Sequence, residues 1–200
     1  MKYKSIEKKY QGNYITYYNI NYITENGSTK TYEMISRDPE LSDLDSLHRR
    51  SPDAVIMILH DKKGERILLN REYRMAVGEW VYNFPAGLID KGETAEQAAE
   101  RELREETGLH LVEITDIWRE SYSAVGFSNE KGIVILGTAE GTISGSDSEM
   151  EEIKAAWYTK DEIRTLLREK TFAARTQAYC ALWCGRSACA LNSRPRSLTS

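Results

Sequence analysis

Three glutamates, Glu102, Glu105 and Glu106, stand at i, i+3 and i+4 in the stretch GLIDKGETAEQAAERELREETGL, which runs from Gly87 to Leu109. In a helix, side chains advance by about 100° per residue. Ala95, Ala98, Ala99, Glu102, Leu103, Glu105, Glu106 and Leu109 then share one arc, while Glu96, Gln97, Glu100, Arg101 and Arg104 share the other. The first arc begins as a small-residue packing seam and supplies carboxylates where the pattern asks for apolar side chains. Like charges turned inward raise one another's pKa and cost stability unless something divalent neutralises them. Hard oxygen ligands in that number suit Mg²⁺, or Mn²⁺ in its place, with water and substrate phosphate completing the shell. The competing reading is a solvated charged face, and the alanines on the same arc argue against it.

The elements that must position these carboxylates are a loop and the helix it enters. Thr94 followed by Gln97 is a capping-box start, and Gly108 is a left-handed stop. The pattern resembles the Nudix box in every fixed position: Gly87, Glu93, and the run Arg101-Glu102-Leu103-Arg104-Glu105-Glu106-Thr107-Gly108-Leu109. The preceding EWVYNFPAG, with Trp80, Phe84, Pro85 and Ala86, is similar to the lead-in of the ADP-ribose and nucleotide-sugar pyrophosphatase branch. This resemblance implies an α+β Nudix fold, a mixed sheet sandwiched between helices, with an N-terminal antiparallel sheet extension. It also implies Mg²⁺-dependent hydrolysis of a pyrophosphate bridge in ADP-ribose or a related nucleotide sugar, giving a nucleoside monophosphate and a sugar phosphate. Glu102 and Glu106 are then the central metal ligands, Glu105 assists them, and the Ala86 carbonyl completes the cluster. Arg101 and Glu93 brace the loop against the helix by pairing.

Substrate contacts are expected from Gly87, Tyr18 and Arg74. Arg74 ends Glu72-Tyr73-Arg74, which resembles the segment whose arginine contacts the substrate's phosphates or base; a surface ion pair is the equal alternative. The catalytic base should lie outside the box, apart from any help from Glu105, because a carboxylate bound to cations is a poor proton acceptor. Two loops offer acids. Glu151, in the Gly/Ser-rich acidic stretch before Ile153, matches the branch best, and Glu130 is the runner-up; the alternative is that the acidic loop is merely solvated. Val125 replaces a proline that marks ADP-ribose-specific members, and Asn83 stands where the branch usually has an acid two residues before its Pro-Ala-Gly. Both departures bear on the substrate and leave hydrolysis intact. Another Nudix activity, on oxidised nucleotides or dinucleoside polyphosphates, and a non-catalytic nucleotide-sensing module are the other readings. The second would be marked by a lost ligand in the box, and none is lost.

The chain has 200 residues, 40% hydrophobic and 29% charged, with 27 basic and 31 acidic side chains and a net charge of −4. That composition suits a globular protein acting on a small phosphorylated substrate rather than on nucleic acid. No apolar run reaches the ~20 residues that span a bilayer, and the N-terminus lacks an apolar signal core, so the expectation is a cytoplasmic protein with no membrane partner. Cys180, Cys184 and Cys189 read as thiols in a reducing compartment. Cys180 and Cys184 could form only half a metal site.

Along the chain, residues 1–12 read as a polar lead-in, and 1–50 as an N-terminal sheet extension. Tyr14 to Ile23 and Ser28 to Ser36 flank Asn26-Gly27, a hairpin signal. Four tyrosines, Tyr14, Tyr17, Tyr18 and Tyr22, divide between the hairpin's faces, and the resemblance implies that this sheet joins two subunits of a homodimer; an extra sheet in a monomer is the alternative. Residues 37–53 read as a polar linker. The hydrolase domain is expected over 51–190, with strands at 54–60, 66–71, 112–118, 132–139 and 153–158. Helices follow over 161–170, capped by Asp161, and over 171–190, with a frayed tail at 191–200.

Overall fold

The structure, a computed structural model, describes residues 1–48, 51–146 and 152–185. In chain order the elements are β1 (Lys2–Gln11), β2 (Thr16–Ile23), β3 (Thr29–Ser36), α1 (Leu44–His48), β4 (Ala54–His60), β5 (Arg66–Arg74), β6 (Glu79–Asn83) and β7 (Ala86–Leu88). Then come α2 (Ala95–Thr107), β8 (His110–Tyr122), β9 (Lys131–Glu140), β10 (Ile153–Thr159), α3 (Lys160–Glu169) and α4 (Ala174–Trp183). Two compact units form: Met1–Val55, Leu88–Ala95 and Trp118–Val134 make one, and Ile56–Gly87, Glu96–Ile117 and the described residues from Ile135 onward make the other.

The first unit holds a three-stranded antiparallel sheet in the order β1-β2-β3. The expected hairpin is present, with Gly27 at φ +81 in its turn. Residues 1–12, however, are not a lead-in: β1 pairs with β2 from Lys2↔Ile23 to Gln11↔Thr16. Its sequence hides this because lysines and glutamates fill an edge strand, where charge discourages further pairing; only Tyr3 and Ile6 pack against the core. The segment 37–53 is likewise more than a linker. Asp43 Oδ1 accepts from the Ser46 N–H at 2.7 Å at the start of the short α1, and Leu41 and Leu47 are buried with Tyr18, Ile20 and Met34. Without that cover the sheet would leave its apolar face wet. Elsewhere in the unit, the Ile35 N–H donates to the Phe127 carbonyl at 2.8 Å and Arg37 pairs with Glu130 at 2.8 Å.

The larger sheet has seven strands, in the order β10-β5-β4-β9-β8 with β6 on β5 and β7 on β4. β4, AVIMILH, is buried at its five central residues, as its unbroken apolar run predicts. β5 runs three residues past its expected end, and its neighbours are antiparallel: Lys154↔Arg71 on β10 and Asn70↔Asn83 on β6. One face of this region carries Trp80, with the Arg71 guanidinium 4.7 Å and the Lys154 ammonium 5.0 Å from its ring centre. The other carries Asn70 and Glu72. α4 is held to β6 by the Ala173 N–H on the Tyr82 carbonyl at 2.9 Å and by an edge contact between Phe84 and Tyr179. It starts at Ala174 rather than Thr171, and the tail lies outside the described residues. Among the described residues no helix is long and apolar enough to cross a membrane.

α3 corrects another expectation. Its N-cap is Thr159, whose hydroxyl accepts from the Glu162 N–H while the Glu162 carboxylate accepts from the Thr159 N–H at 2.8 Å. Asp161 already lies inside the helix. Thr159→Ala should therefore lower stability by about 1 kcal/mol, read as a shift in urea midpoint at constant slope, while Asp161→Ala should stay within about 0.5 kcal/mol.

Candidate active site

The site is built on a helix that needs no side chain opposite one of its carboxylates. Gly87 ends the second unit's portion of the Pro-Ala-Gly turn, and a β-carbon placed there would overlap the Glu102 carboxylate. Glycine is thus a requirement of close approach. The turn is fixed from below, where the Met57 N–H of β4 donates to the Pro85 carbonyl at 2.9 Å and Phe84 is buried. At the other end of α2, Gly108 has φ +74, the conformation expected of its left-handed stop. Along the helix Ala98, Ala99, Leu103 and Glu106 are buried, Glu102 and Glu105 half-buried, and Glu96, Gln97 and Arg104 exposed, as the periodicity gives, whereas Glu100 and Arg101, expected on the outer arc, are half-buried too.

Glu106 is the most enclosed of the three carboxylates, only 7% exposed. Its Oε2 accepts from Asn70 Nδ2 at 2.8 Å, and it also accepts from the Ala86 backbone. Burial, with the charges of Glu102 and Glu72 added, nevertheless pushes its pKa up to about 8. Arg101 Nη1 donates to Glu102 at 2.8 Å and to Glu105 at 3.3 Å, so the arginine braces the carboxylates of its own helix. Two residues that sequence reading missed complete the surroundings. Asn70 is 1% exposed, with its Oδ1 lacking a hydrogen-bond partner among the described residues; Glu72, 9% exposed, accepts from Asn83 Nδ2 at 3.0 Å and pairs with Arg74, whose Nε is 3.0 Å away. The available signal was polar residues at i and i+2 in LLNRE, on the buried face of a strand. Among the described residues no three carboxylates are already drawn around a single point. The carboxylate-lined turn, the glycine cradle and the orphaned amide oxygen nonetheless fit a hard divalent cation and its waters.

The other expected residues fall in different places. Arg74 is in an ion pair with Glu72 and more than half of its side chain is exposed. Tyr18 is fully buried in the first unit, where its hydroxyl donates to the Asp38 carbonyl at 2.9 Å, so its ring offers no face to a ligand. Glu130, also in the first unit, is held by Arg37. Glu93 closes a turn, accepting from the Asp90 N–H at 3.0 Å. Glu151 lies outside the described residues, as does Cys189. Cys180 and Cys184 are buried free thiols, and burial pushes Cys180 up to about 12.

The raised Glu106 pKa makes metal-free stability depend on pH. Between pH 4.5 and about 8 the folded protein keeps on Glu106 a proton that the unfolded chain gives up, so metal-free stability is full below that window and falls as pH rises through it. Glu106→Gln should flatten this slope and raise metal-free stability above pH 8. Urea titrations with chelator across the window measure both effects, and an unchanged slope would show that Glu106 is not the source.

A family model described as the NUDIX domain matches residues 50–180. The mouse ADP-sugar pyrophosphatase is 30% identical over 142 residues, covering 68% of this chain and 60% of that protein. The NAD-capped RNA hydrolase NudC of Mycobacterium tuberculosis is 31% identical over 129 residues, covering 64% of this chain and 39% of its own. A putative nudix hydrolase 2 of Caenorhabditis elegans is 35% identical over 104 residues, covering 51% and 44%. This chain therefore spans less than two thirds of the length of each of these relatives. A crystal structure of an ADP compounds hydrolase superposes with a TM-score of 0.67 at 19% identity, covering 92% of both chains, which is a likeness of fold. The structure and these matches agree on a mixed sheet with helices and an extra N-terminal antiparallel sheet, and a family model laid over well more than half of the chain, including the turn and helix that carry Gly87, Glu102 and Glu106, makes this protein a member of the NUDIX family.

Proposed function

We propose that the protein hydrolyses the pyrophosphate bond of ADP-ribose or a related nucleoside diphosphate sugar with a divalent cation, Mg²⁺ or Mn²⁺, releasing a nucleoside monophosphate and a sugar phosphate. The observation that carries this is Glu106, a carboxylate buried beside Glu102 and Glu72 with its pKa pushed up to about 8, an arrangement that a cation relieves. Glu102 and Glu106 would hold the metal with the Ala86 carbonyl, and Glu105 would assist. A bound cation neutralises charge on the bridging phosphates and acidifies water. The chain's own residues do the rest. Asn70 and the Ala86 N–H fix Glu106, Arg101 orients Glu102 and Glu105, and Arg74 offers a guanidinium to a phosphate. Glu151 is the proposed base, and the Arg37 pair that holds Glu130 counts against the runner-up. The mouse relative supports a nucleotide sugar; the mycobacterial one keeps a longer nucleotide substrate open as a second reading.

A panel of nucleoside diphosphate sugars, NAD, NAD-capped RNA, dinucleoside polyphosphates and oxidised nucleotides, run with Mg²⁺ and with Mn²⁺, tests the proposal. Nucleotide sugars should turn over fastest; a chelator should abolish turnover, and failure on every substrate would leave a binding module. At saturating metal, Glu151→Gln should lower kcat by about 10² to 10⁴, the loss expected for a general base. A normal Glu151→Gln beside a slow Glu130→Gln would move the base to the other loop.

The N-terminal sheet is proposed to join two subunits. Tyr18 is spent in the core, but Tyr10, Tyr14 and Ile15 are 71%, 82% and 46% exposed near its first turn, apolar area that suits a partner. Light scattering on the full chain should give a dimer; a monomer with full activity ends the idea.

A further inference from the structure

The family box supplies carboxylates from one helix, yet the structure brings a further one from a strand. Asn70 and Glu72 are two apart on β5 and so share a face, and the β6 register sets Asn83 opposite Asn70 and Val81 opposite Glu72. Asn83 is thus diagonal to Glu72 across the strand pair, within reach of it. Its amide is oriented by its neighbours. Oδ1 accepts from the Phe84 N–H at 3.0 Å and from the Thr176 hydroxyl of α4 at 2.8 Å, which leaves Nδ2 to donate to Glu72 Oε1 at 3.0 Å. Arg74 forms an ion pair with the same oxygen, its Nε 3.0 Å away. An amide N–H₂ is a donor only and a guanidinium a fixed positive charge, so both are matched to the carboxylate of Glu72.

Glu72 is 9% exposed on the strand face whose neighbouring Asn70 holds Glu106, close enough for its charge to act on Glu106. A second observation points to what it faces. Asn70 is 1% exposed, its Nδ2 is committed to Glu106, and its Oδ1 has no hydrogen-bond partner among the described residues. An acceptor oxygen left open on the residue that holds Glu106 and shares a strand face with Glu72 is suited to a water held by a cation. Buried acceptors are rarely left without a donor unless a ligand or water supplies one.

We propose that Glu72 is a carboxylate of the cation centre, supplied by β5 rather than by α2, with Asn83 and Thr176 fixing its position and Asn70 accepting from the cation's water shell. This rests on the divalent-cation reading given above. It accounts for the amide at position 83, because an asparagine there turns the strand-borne acid toward the helix. The competing role for Glu72, an anchor for Arg74, acts on substrate and predicts no change in metal affinity.

The test is Mn²⁺ alone, titrated into substrate-free protein and followed by electron paramagnetic resonance, with metal-free melting measured alongside. Glu72→Gln keeps the side chain's shape and its acceptance from Asn83. It should weaken Mn²⁺ binding by about tenfold or more, the loss typical of groups that orient metal ligands, while metal-free melting holds or rises. Unchanged Mn²⁺ affinity in Glu72→Gln beside lost binding in Glu106→Gln overturns the proposal and leaves Glu72 as the Arg74 anchor. Unchanged affinity in both overturns it together with the metal reading. Should Glu72→Gln melt lower without metal, Asn83→Ala decides, since it keeps the charge and removes what aims it: Mn²⁺ binding several-fold weaker supports the assignment, and binding equal to the parent overturns it.

Discussion

Everything in the second unit's site depends on a carboxylate lying directly against a backbone that has no side chain. Because Gly87 carries no β-carbon, Glu102 can press onto the turn, and α2 sits close enough for Glu106 to accept from Ala86. That proximity is what drives the helix's acids together. Their crowding costs the fold stability as Glu106 loses its proton toward pH 8, and it is tolerated because Ala98, Ala99 and Leu103 on the same arc are fully buried. Apolar contact holds the helix down while its polar residues strain against one another, the usual trade at a functional site.

How much of this could be read from the chain follows from the range over which each signal acts. α2 was legible because its pattern is local: small residues, then acids, on one arc, closed by a glycine that must take a positive φ. β4 and the Asn-Gly hairpin were legible for the same reason. β1 was not, since an edge strand guarded by lysines looks like a solvated tail until its partner is known. Glu72 was hidden in another way. Its neighbours in sequence say only that a strand carries an acid, and its importance arises from the register that sets Asn83 diagonal to it. Tyr18 shows the limit of alternation: the periodicity divided the tyrosines between two faces without saying that the face carrying Tyr18 is closed by Leu41 and Leu47.

The departure at Asn83 changes meaning in this light. Read along the chain it is the loss of an acid before the Pro-Ala-Gly turn. In the folded unit it is one station in a line of donors and acceptors from Thr176 on α4, through its own amide, to Glu72 on β5. Two β-strands and a helix thereby converge on one carboxylate, and a substitution at any of them would be felt at the others.

That line also makes α4 a clamp, and the helix carries its own clock. Cys180 lies one turn beyond Thr176 on the same face, fully buried, with burial pushing its thiol up to about 12. While the helix is seated the sulfur is both shielded and protonated, so a thiol reagent can take it only during an opening. The rate at which Cys180 is consumed therefore reports how often the helix that steadies Asn83 lets go.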